Sequence, residues 1–590
     1  VLALWTIATP LLGALLVWIV GMANDRLMKV VAVLVAVVTG VLTVKLLMAI
    51  PAHLPADHGY FWIPNEAIKI GFNLTGLGVW VAAVAGVVGG LAVIFSLKYM
   101  EHYETEYPPT RYYFFTVLFI GSMIGLALTD NLLVLYLFWE MIGFCSYILI
   151  AYFYKDPKAV FSGTKAFVVT RVGDIGLLAA IIVLWHATKT TNIFEILDMA
   201  GAGQIDMLTL GLAGIGFIMA AVGKSAQFPL HVWLPDAMEA PTPISALIHA
   251  ACLVNAGVYL LALTFPLFVT VIWWGPVVLW IGAITALLAG ILALIEYDIK
   301  RVLAYSTISQ LGFMVAAVGA GGIFASQFHL VNHAVFKALL FLCAGAIVHA
   351  VGTRDLREMG GLGKKMPLTQ MTCAIGVMAL AGIPVLSGFW SKDLIIESVV
   401  NAGDWAAVPL VLLIISAFLT AAYSLRMYWM AFGGARPYEK EAHDGPWQMS
   451  VPLVLLAMGS LLFWLAVGFY STQVSADAFH HTLPHMSLHH LITETVQSTG
   501  LMVITGLIVI VWVILGIVWT RTGQAFSPTG AWADTLTRTK FGFDSFYNTA
   551  VRMLTDFCRG MTRLQTGDIN YNAAAAAVGL VILLLLLVNN

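Results

Sequence analysis

About 16 separate apolar runs, each long enough to cross ~30 Å of hydrocarbon as a helix rising ~1.5 Å per residue, follow one another along this chain. They begin near residues 2, 27, 77, 112, 131, 164, 207, 241, 272, 299, 323, 367, 402, 449, 497 and 572. Lipid offers no water to unpaired backbone groups, so this pattern predicts an all-α polytopic membrane protein. Composition agrees, with 60% of the 590 residues hydrophobic and 10% charged. A net charge of -2 gives no footing for nucleic acid. Cys145, Cys252, Cys343, Cys373 and Cys558 lack metal-ligand spacing and read as small core residues, so neither iron–sulfur nor structural zinc sites are expected here.

Cytoplasmic loops are enriched in Lys and Arg, which orients the runs. Arg26 and Lys29, Lys155 and Lys158, Lys300 and Arg301, the stretch from Arg354 to Lys365, Arg436 and Lys440, and the basic region 521–563 all follow odd-numbered runs. The loops after even-numbered runs are nearly bare. The first run has no basic residues before it and no small-residue cleavage site, and is read as a span, not a leader.

Two runs are interrupted in the same way. "AAVGKSAQFPLHVWLPD" carries Lys224 five residues before Pro229, and "LAGIPVLSGFWSKD" carries Pro384 and then Lys392. Proline removes a backbone hydrogen bond and clashes with the preceding turn, so both segments are expected to be broken helices. Interruptions at matching places in two halves point to a duplicated transport unit.

Ionisable residues inside apolar runs cost several kcal/mol at mid-membrane unless they face water, a bundle interior or a partner. Glu140, Arg171, Asp174, Lys224, His249 and Lys337 are such residues. Arg171 and Asp174, three apart on one helical face, can neutralise each other; Glu140 and Lys224 are the expected buried pair between different helices. In "HLVNHAVFKALLFLCAGAIVHA", His329, His333 and Lys337 recur at i, i+4 and i+8, a single stripe of proton-exchanging groups. Zinc would need further ligands, and none lies within a turn, so the stripe reads as a proton relay. A second cluster, "HHTLPHMSLHH" at 480–490, is expected in a solvated loop. Near the other end, Phe543, Phe546, Tyr547, Leu554, Phe557, Met561 and Leu564 recur at helical spacing beside Arg552, Asp556, Arg559 and Arg563. That is an amphipathic helix over 541–565, suited to lie along a membrane or its neighbours.

The motifs "RVGDIGLL", "GKSAQFPLHVWLPDAMEAPTPISALIHAA", "YDIKRVLAYSTISQLGFM", "NHAVFKALLFLCAGAIVHA" and "GIPVLSGFWSKD" resemble the antiporter-like subunit L, or subunit 5, family of respiratory complex I, the NADH:quinone oxidoreductases. The resemblance implies helices 1–3 in residues 1–111 and two inverted five-helix repeats over 112–266 and 272–432. Helices 14 and 15 would follow in 449–520, a lateral amphipathic helix in 521–571 and a closing membrane helix in 572–590. It implies a proton path through Glu140, Lys224, His249, His329, His333, Lys337 and Lys392, modulated by Arg171 and Asp174. It departs from the family at Asn255 and Leu263, where threonine and arginine are usual. No cofactor would sit on this chain; flavin (FMN), iron–sulfur clusters and quinone would belong to partner subunits of the membrane and redox arms, especially neighbouring antiporter-like subunits. Lipids and protons complete the partners, and the site of action would be a prokaryotic cytoplasmic membrane or an equivalent energy-transducing membrane. Two related assemblies fit the same motifs: a Mrp-type sodium/proton antiporter and an energy-converting hydrogenase-like complex.

Overall fold

Helices dominate the computed structural model, which describes residues 1–49, 60–63, 68–434, 441–475, 486–526, 535–537, 539–562 and 578. The chain divides into two compact units, Val1–Pro528 and Thr529–Asn590. The first opens with α1 (Leu2–Gly21), α2 (Asp25–Ala49), an antiparallel hairpin of β1 (Tyr60–Ile63) and β2 (Ile68–Ile70) with Tyr60 opposite Ile70, and α3 (Gly76–Tyr99). Next come α4 (Pro109–Leu128), α5 (Leu132–Ile150), α6 (Pro157–Thr188), the short α7 (Ile193–Gly201), α8 (Met207–Lys224), α9 (Trp233–Asp236), α10 (Thr242–Ala246) and α11 (Asn255–Phe268). The series continues through α12 (Trp274–Ile295), α13 (Ile299–Gly319), α14 (Ile323–Val351), α15 (Pro367–Ala381), α16 (Ser387–Asn401) and α17 (Ala407–Phe432). It ends with α18 (Trp447–Leu462), α19 (Val467–Ser475), α20 (Leu488–Gln497) and α21 (Thr499–Thr522). In the second unit α22 (Phe543–Thr562) is the described helix of length; its Phe546, Val551, Leu554 and Phe557 side chains are exposed within that unit.

Among the described residues 14 helices are long and apolar enough to cross a membrane. The pair α15 and α16 forms one more crossing in two pieces. The apolar runs beginning at residues 2 through 497 each coincide with a crossing, while the run at 572 lies outside the described residues, as do residues 480–485 of the histidine cluster. Of its remaining residues Met486 and Ser487 precede the helix, while Leu488–His490 are helical and not loop, because Ser487 accepts a hydrogen bond from His490 N and caps α20. The helix expected at 164 begins at α6's Pro157: Asp156 caps it by accepting from Lys158 N, with proline at the first helical position. A polar cap before the apolar run moved that boundary outward.

The two stretches read as repeats share a detail of local structure. Asn131 caps α5, Asn192 caps α7, and the two residues pair as an isolated bridge. Asp298 caps α13, Asp355 caps the 3-10 turn Leu356–Glu358, and these two also pair. Five crossings separate the α4–α5 corner from the α12–α13 corner, so the two ties lie on opposite faces.

Close helix contacts depend on glycine where backbones meet. A Cβ on Gly216 would fall 2.3 Å from Gly176 O, and one on Gly173 would fall 2.6 Å from Met219 O, so α6 and α8 touch backbone to backbone. At the α12–α13 contact a Cβ on Gly312 would lie 2.6 Å from Gly282 O and 2.7 Å from Ala286 N. Gly312→Ala is therefore expected to force these backbones apart at about 1–3 kcal/mol and to lower the melting temperature of the detergent-extracted protein. Gly506→Ala, with open space around the new methyl group, should leave it unchanged or slightly higher; equal behaviour of the two variants would refute the packing account.

Candidate functional site

The first break falls where expected. α8 ends at Lys224, and the chain passes through a turn before the 3-10 segment Leu230–Val232 and α9, with Pro229 inside the interruption. Backbone groups freed by the break find specific partners: Trp233 Nε1 donates to Gly223 O at 3.1 Å and Phe228 N donates to Thr285 Oγ1 at 3.0 Å. The Ser225 hydroxyl donates to Val254 O at 2.6 Å. Lys224 stands fully buried at the C-terminal end of α8, where the helix dipole favours a cation.

Its partner is not the one the sequence suggested. Lys224 Nζ lies 3.2 Å from Asp174 Oδ2, and the other oxygen of Asp174 accepts from Trp139 Nε1 at 2.6 Å. Glu140 instead pairs with Arg171. The expected Arg171–Asp174 contact is stretched to 3.9 Å. The charges thus run Glu140, Arg171, Asp174, Lys224 across α5, α6 and α8, with α6 contributing the two inner members. The glycine contact between α6 and α8 brings Asp174 within reach of Lys224, which spacing along one helix does not disclose. The outer and inner pairs differ in solvation: side-chain exposure is 32% and 19% for Arg171 and Glu140 against 1% and 0% for Asp174 and Lys224. Glu140 and Arg171 line a lateral cleft of about 650 Å³ with Leu118, Tyr136 and Phe144. Gly143 makes room for the inner cation, since a Cβ there would lie 2.6 Å from Lys224 Nζ.

A third interruption has no proline to announce it. Residues Leu247–Ala251, between α10 and α11, form a π-helical turn that contains His249. Asn255 supports it by donating from Nδ2 to Ala250 O at 2.6 Å, so this departure from the family pattern serves the broken backbone. His249 is buried and packs on Phe341 of α14 at 4.7 Å between ring centroids. It therefore joins the first half to the helix that carries the stripe.

On α14, His329, His333 and Lys337 are all completely buried. Lys337 Nζ donates to Ser306 Oγ of α13. His329 Nδ1 lies 2.8 Å from Ser391 Oγ of α16, and Nε2 lies 3.1 Å from Gln310 Oε1 of α13. His333 has no hydrogen-bond partner for either ring nitrogen among the described residues, and its ring centroid is 6.2 Å from that of His329. The second break separates α15 from α16 around Pro384, with Gly382 at φ +79° providing the left-handed turn. Lys392, buried on α16, reaches back across it and donates to Leu380 O at 2.9 Å, satisfying a carbonyl at the end of α15. Ser306, Gln310, Ser391 and Trp139 were not singled out from the sequence, because neutral polar residues in apolar runs carry no charge signal.

A cluster at the α12–α13 corner also escaped the sequence reading. Lys300, buried, donates to Met238 O at 2.7 Å and Ala240 O at 2.6 Å. Arg354 bridges Glu239 at 3.2 Å and Asp298 at 3.3 Å, and Lys165 meets Asp236 at 2.6 Å. These contacts tie the segment after the first break to α6, to α13 and to the loop after α14.

Broken helices with buried charged groups at the interruptions, inside a bundle of this length, define a polytopic membrane protein whose polar groups lie in its interior. Residues 129–420 match the family described as "NADH:quinone oxidoreductase/Mrp antiporter, TM", and residues 62–115 match "NADH-Ubiquinone oxidoreductase (complex I), chain 5 N-terminus". The NADH-quinone oxidoreductase subunit L of Escherichia coli (strain K12) is 39% identical over 498 residues, covering 82% of this chain and 78% of that protein. The "F(420)H(2) dehydrogenase subunit L" of Methanosarcina mazei is 43% identical over 403 residues, covering 63% of this chain and 60% of that protein. Among solved structures, the Mrp complex from Dietzia sp. DQ12-45-1b superposes with a TM-score of 0.82 at 27% identity, over 100% of this chain and 63% of that one. The chain belongs to the antiporter-like subunit L, or chain 5, family of NADH:quinone oxidoreductases. It is an integral membrane protein.

The pairing itself can be tested without transport. Asp174→Asn leaves a buried ammonium without its anion and is expected to destabilise the protein by about 3–5 kcal/mol, seen as a fall in melting temperature in detergent. Adding Lys224→Met should recover most of the loss; a double variant no more stable than the single one would disprove the pairing.

Proposed function

We propose that this chain is a proton-translocating subunit in the membrane arm of a redox-driven NADH:quinone oxidoreductase-type pump. The reading rests on one observation above the others: buried ionisable groups from both repeats gather at helix interruptions, where the backbone has freed polar atoms and the bundle excludes lipid. Glu140, Arg171, Asp174 and Lys224 form an electrically balanced set whose neutrality depends on where the mobile proton is. Protonation of Glu140 releases Arg171 toward Asp174, and a competing cation at Asp174 favours proton loss from Lys224. His249 leads from this set to α14, where Lys337, His333 and His329 continue the path toward Lys392. Redox chemistry belongs to partner subunits that hold flavin, iron–sulfur clusters and quinone, so this chain acts by changing the protonation of its buried groups when its neighbours change state.

The superposition on an Mrp complex supports a second reading, cation exchange without a redox partner. Gentle detergent extraction followed by mass spectrometry of the bound chains separates the two. Quinone-module and iron–sulfur subunits are the expected companions, and small antiporter subunits alone would replace the first reading by the second.

In membranes containing the assembled complex, Lys224→Ala and Lys337→Ala are each expected to abolish most proton uptake, with Glu140→Gln behaving similarly. Wild-type pumping in any of them removes that residue from the path. An unassembled complex would instead assign it a structural role.

A further inference from the structure

We propose that Gln310 and Ser391 fix the tautomer of His329 and that the Ser391 hydroxyl, on α16, switches between two hydrogen-bonded positions according to whether His329 carries a proton. The inference rests on the proton-path reading of His329 given above.

The chemistry follows from counting hydrogens. Gln310 Oε1, 3.1 Å from His329 Nε2, can only accept, so Nε2 carries a hydrogen. In the neutral ring Nδ1 is then the lone-pair nitrogen, and the group facing it at 2.8 Å is the Ser391 hydroxyl, which donates to it. Ser391 has a second acceptor within reach, Ser387 O at 3.1 Å. When a proton arrives on Nδ1, that nitrogen becomes the donor, Ser391 Oγ becomes the acceptor, and the serine hydrogen turns to Ser387 O. The ring gains one proton from the path and with it one N–H bond, the serine keeps its own hydrogen, and both arrangements leave the hydrogens at this site paired. The Ser391 hydroxyl thus has two positions, one for each charge state of the histidine.

Location gives these positions a purpose. His329, Gln310, Ser387 and Ser391 are all fully buried, so no exposed polar group competes for these bonds. Gln310 is held in turn by Thr420 of α17, whose hydroxyl lies 3.4 Å from Gln310 Nε2 and also 3.4 Å from Tyr423 OH. Its carbonyl end is thereby turned to the histidine. Ser391 is the fifth residue of α16, just beyond the second break and next to Lys392 in sequence. Lys392 is the next residue on α16 and is buried, and His333 is the ring beside His329 on α14. A hydroxyl that reports the charge of His329 is therefore built into the same turn as the lysine beyond it. Gln310 and Ser391 are positioning residues: they act through the histidine.

The test uses the whole complex in inside-out membrane vesicles energised with NADH. Proton uptake is read from quenching of an acridine dye, and NADH oxidation from its absorbance. Ser391→Ala should lower proton uptake per NADH oxidised at least two-fold in membranes holding normal amounts of the complex. Ser391→Thr, which keeps the hydroxyl, should restore the ratio. Gln310→Leu should act as Ser391→Ala does. A merely structural role would lower complex content and leave the ratio unchanged, which would overturn the proposal, as would equal losses in Ser391→Ala and Ser391→Thr. His329→Ala separates the two levels. If it loses pumping while Ser391→Ala retains it, the tautomer proposal fails and the path stands; if both pump normally, His329 leaves the path as well.

Discussion

Hydrocarbon gives an unpaired amide or carbonyl nothing to bond with, and the arrangement of this protein follows from that constraint. Helices may stop inside such a bundle only where side chains or neighbouring helices take over the freed groups. At the first break Trp233 and Thr285 do so, around the π-turn Asn255 and Ser225 do, and at the second break Lys392 reaches back to Leu380 O. Polar atoms gathered for the backbone's sake create an environment in which Lys224 and Lys392 can stay buried, while Lys337, on the unbroken α14, relies on the Ser306 hydroxyl instead. The turns that satisfy the broken backbone are therefore also the turns that hold Lys224, His249 and Lys392.

The spans could be read from the sequence because their signal is local and repeated. Apolar runs of membrane length tolerate errors of a few residues at each end, and the proline-marked breaks at Pro229 and Pro384 fell where the structure has them. The π-turn around His249 was hidden because an extra residue within a helical turn leaves the hydropathy pattern intact. The short α7 was missed for a different reason: its apolar face spans fewer than three turns and lies between two much stronger runs.

The site was legible as a set of residues and not as a set of pairs. Charge in an apolar run identified Glu140, Arg171, Asp174 and Lys224, yet the partner of Lys224 was fixed by how closely α6 approaches α8. That distance is set by Gly173, Gly176, Gly216 and Gly223, and a glycine in a membrane helix gives no hint of which neighbour it faces. Gln310 and Ser391 were invisible for a related reason, since an amide or a hydroxyl becomes informative only when its partner in space is known.

The two capped bridges, Asn131 with Asn192 and Asp298 with Asp355, have a mechanical consequence. Each stitches together two corners of its own stretch of the bundle, and the stitches lie at opposite membrane faces. A bundle fastened at one end spreads most readily at the other, as a fan does about its rivet. The two stretches are thus held at opposite ends, and a spreading motion in one would open toward a different aqueous phase from a spreading motion in the other.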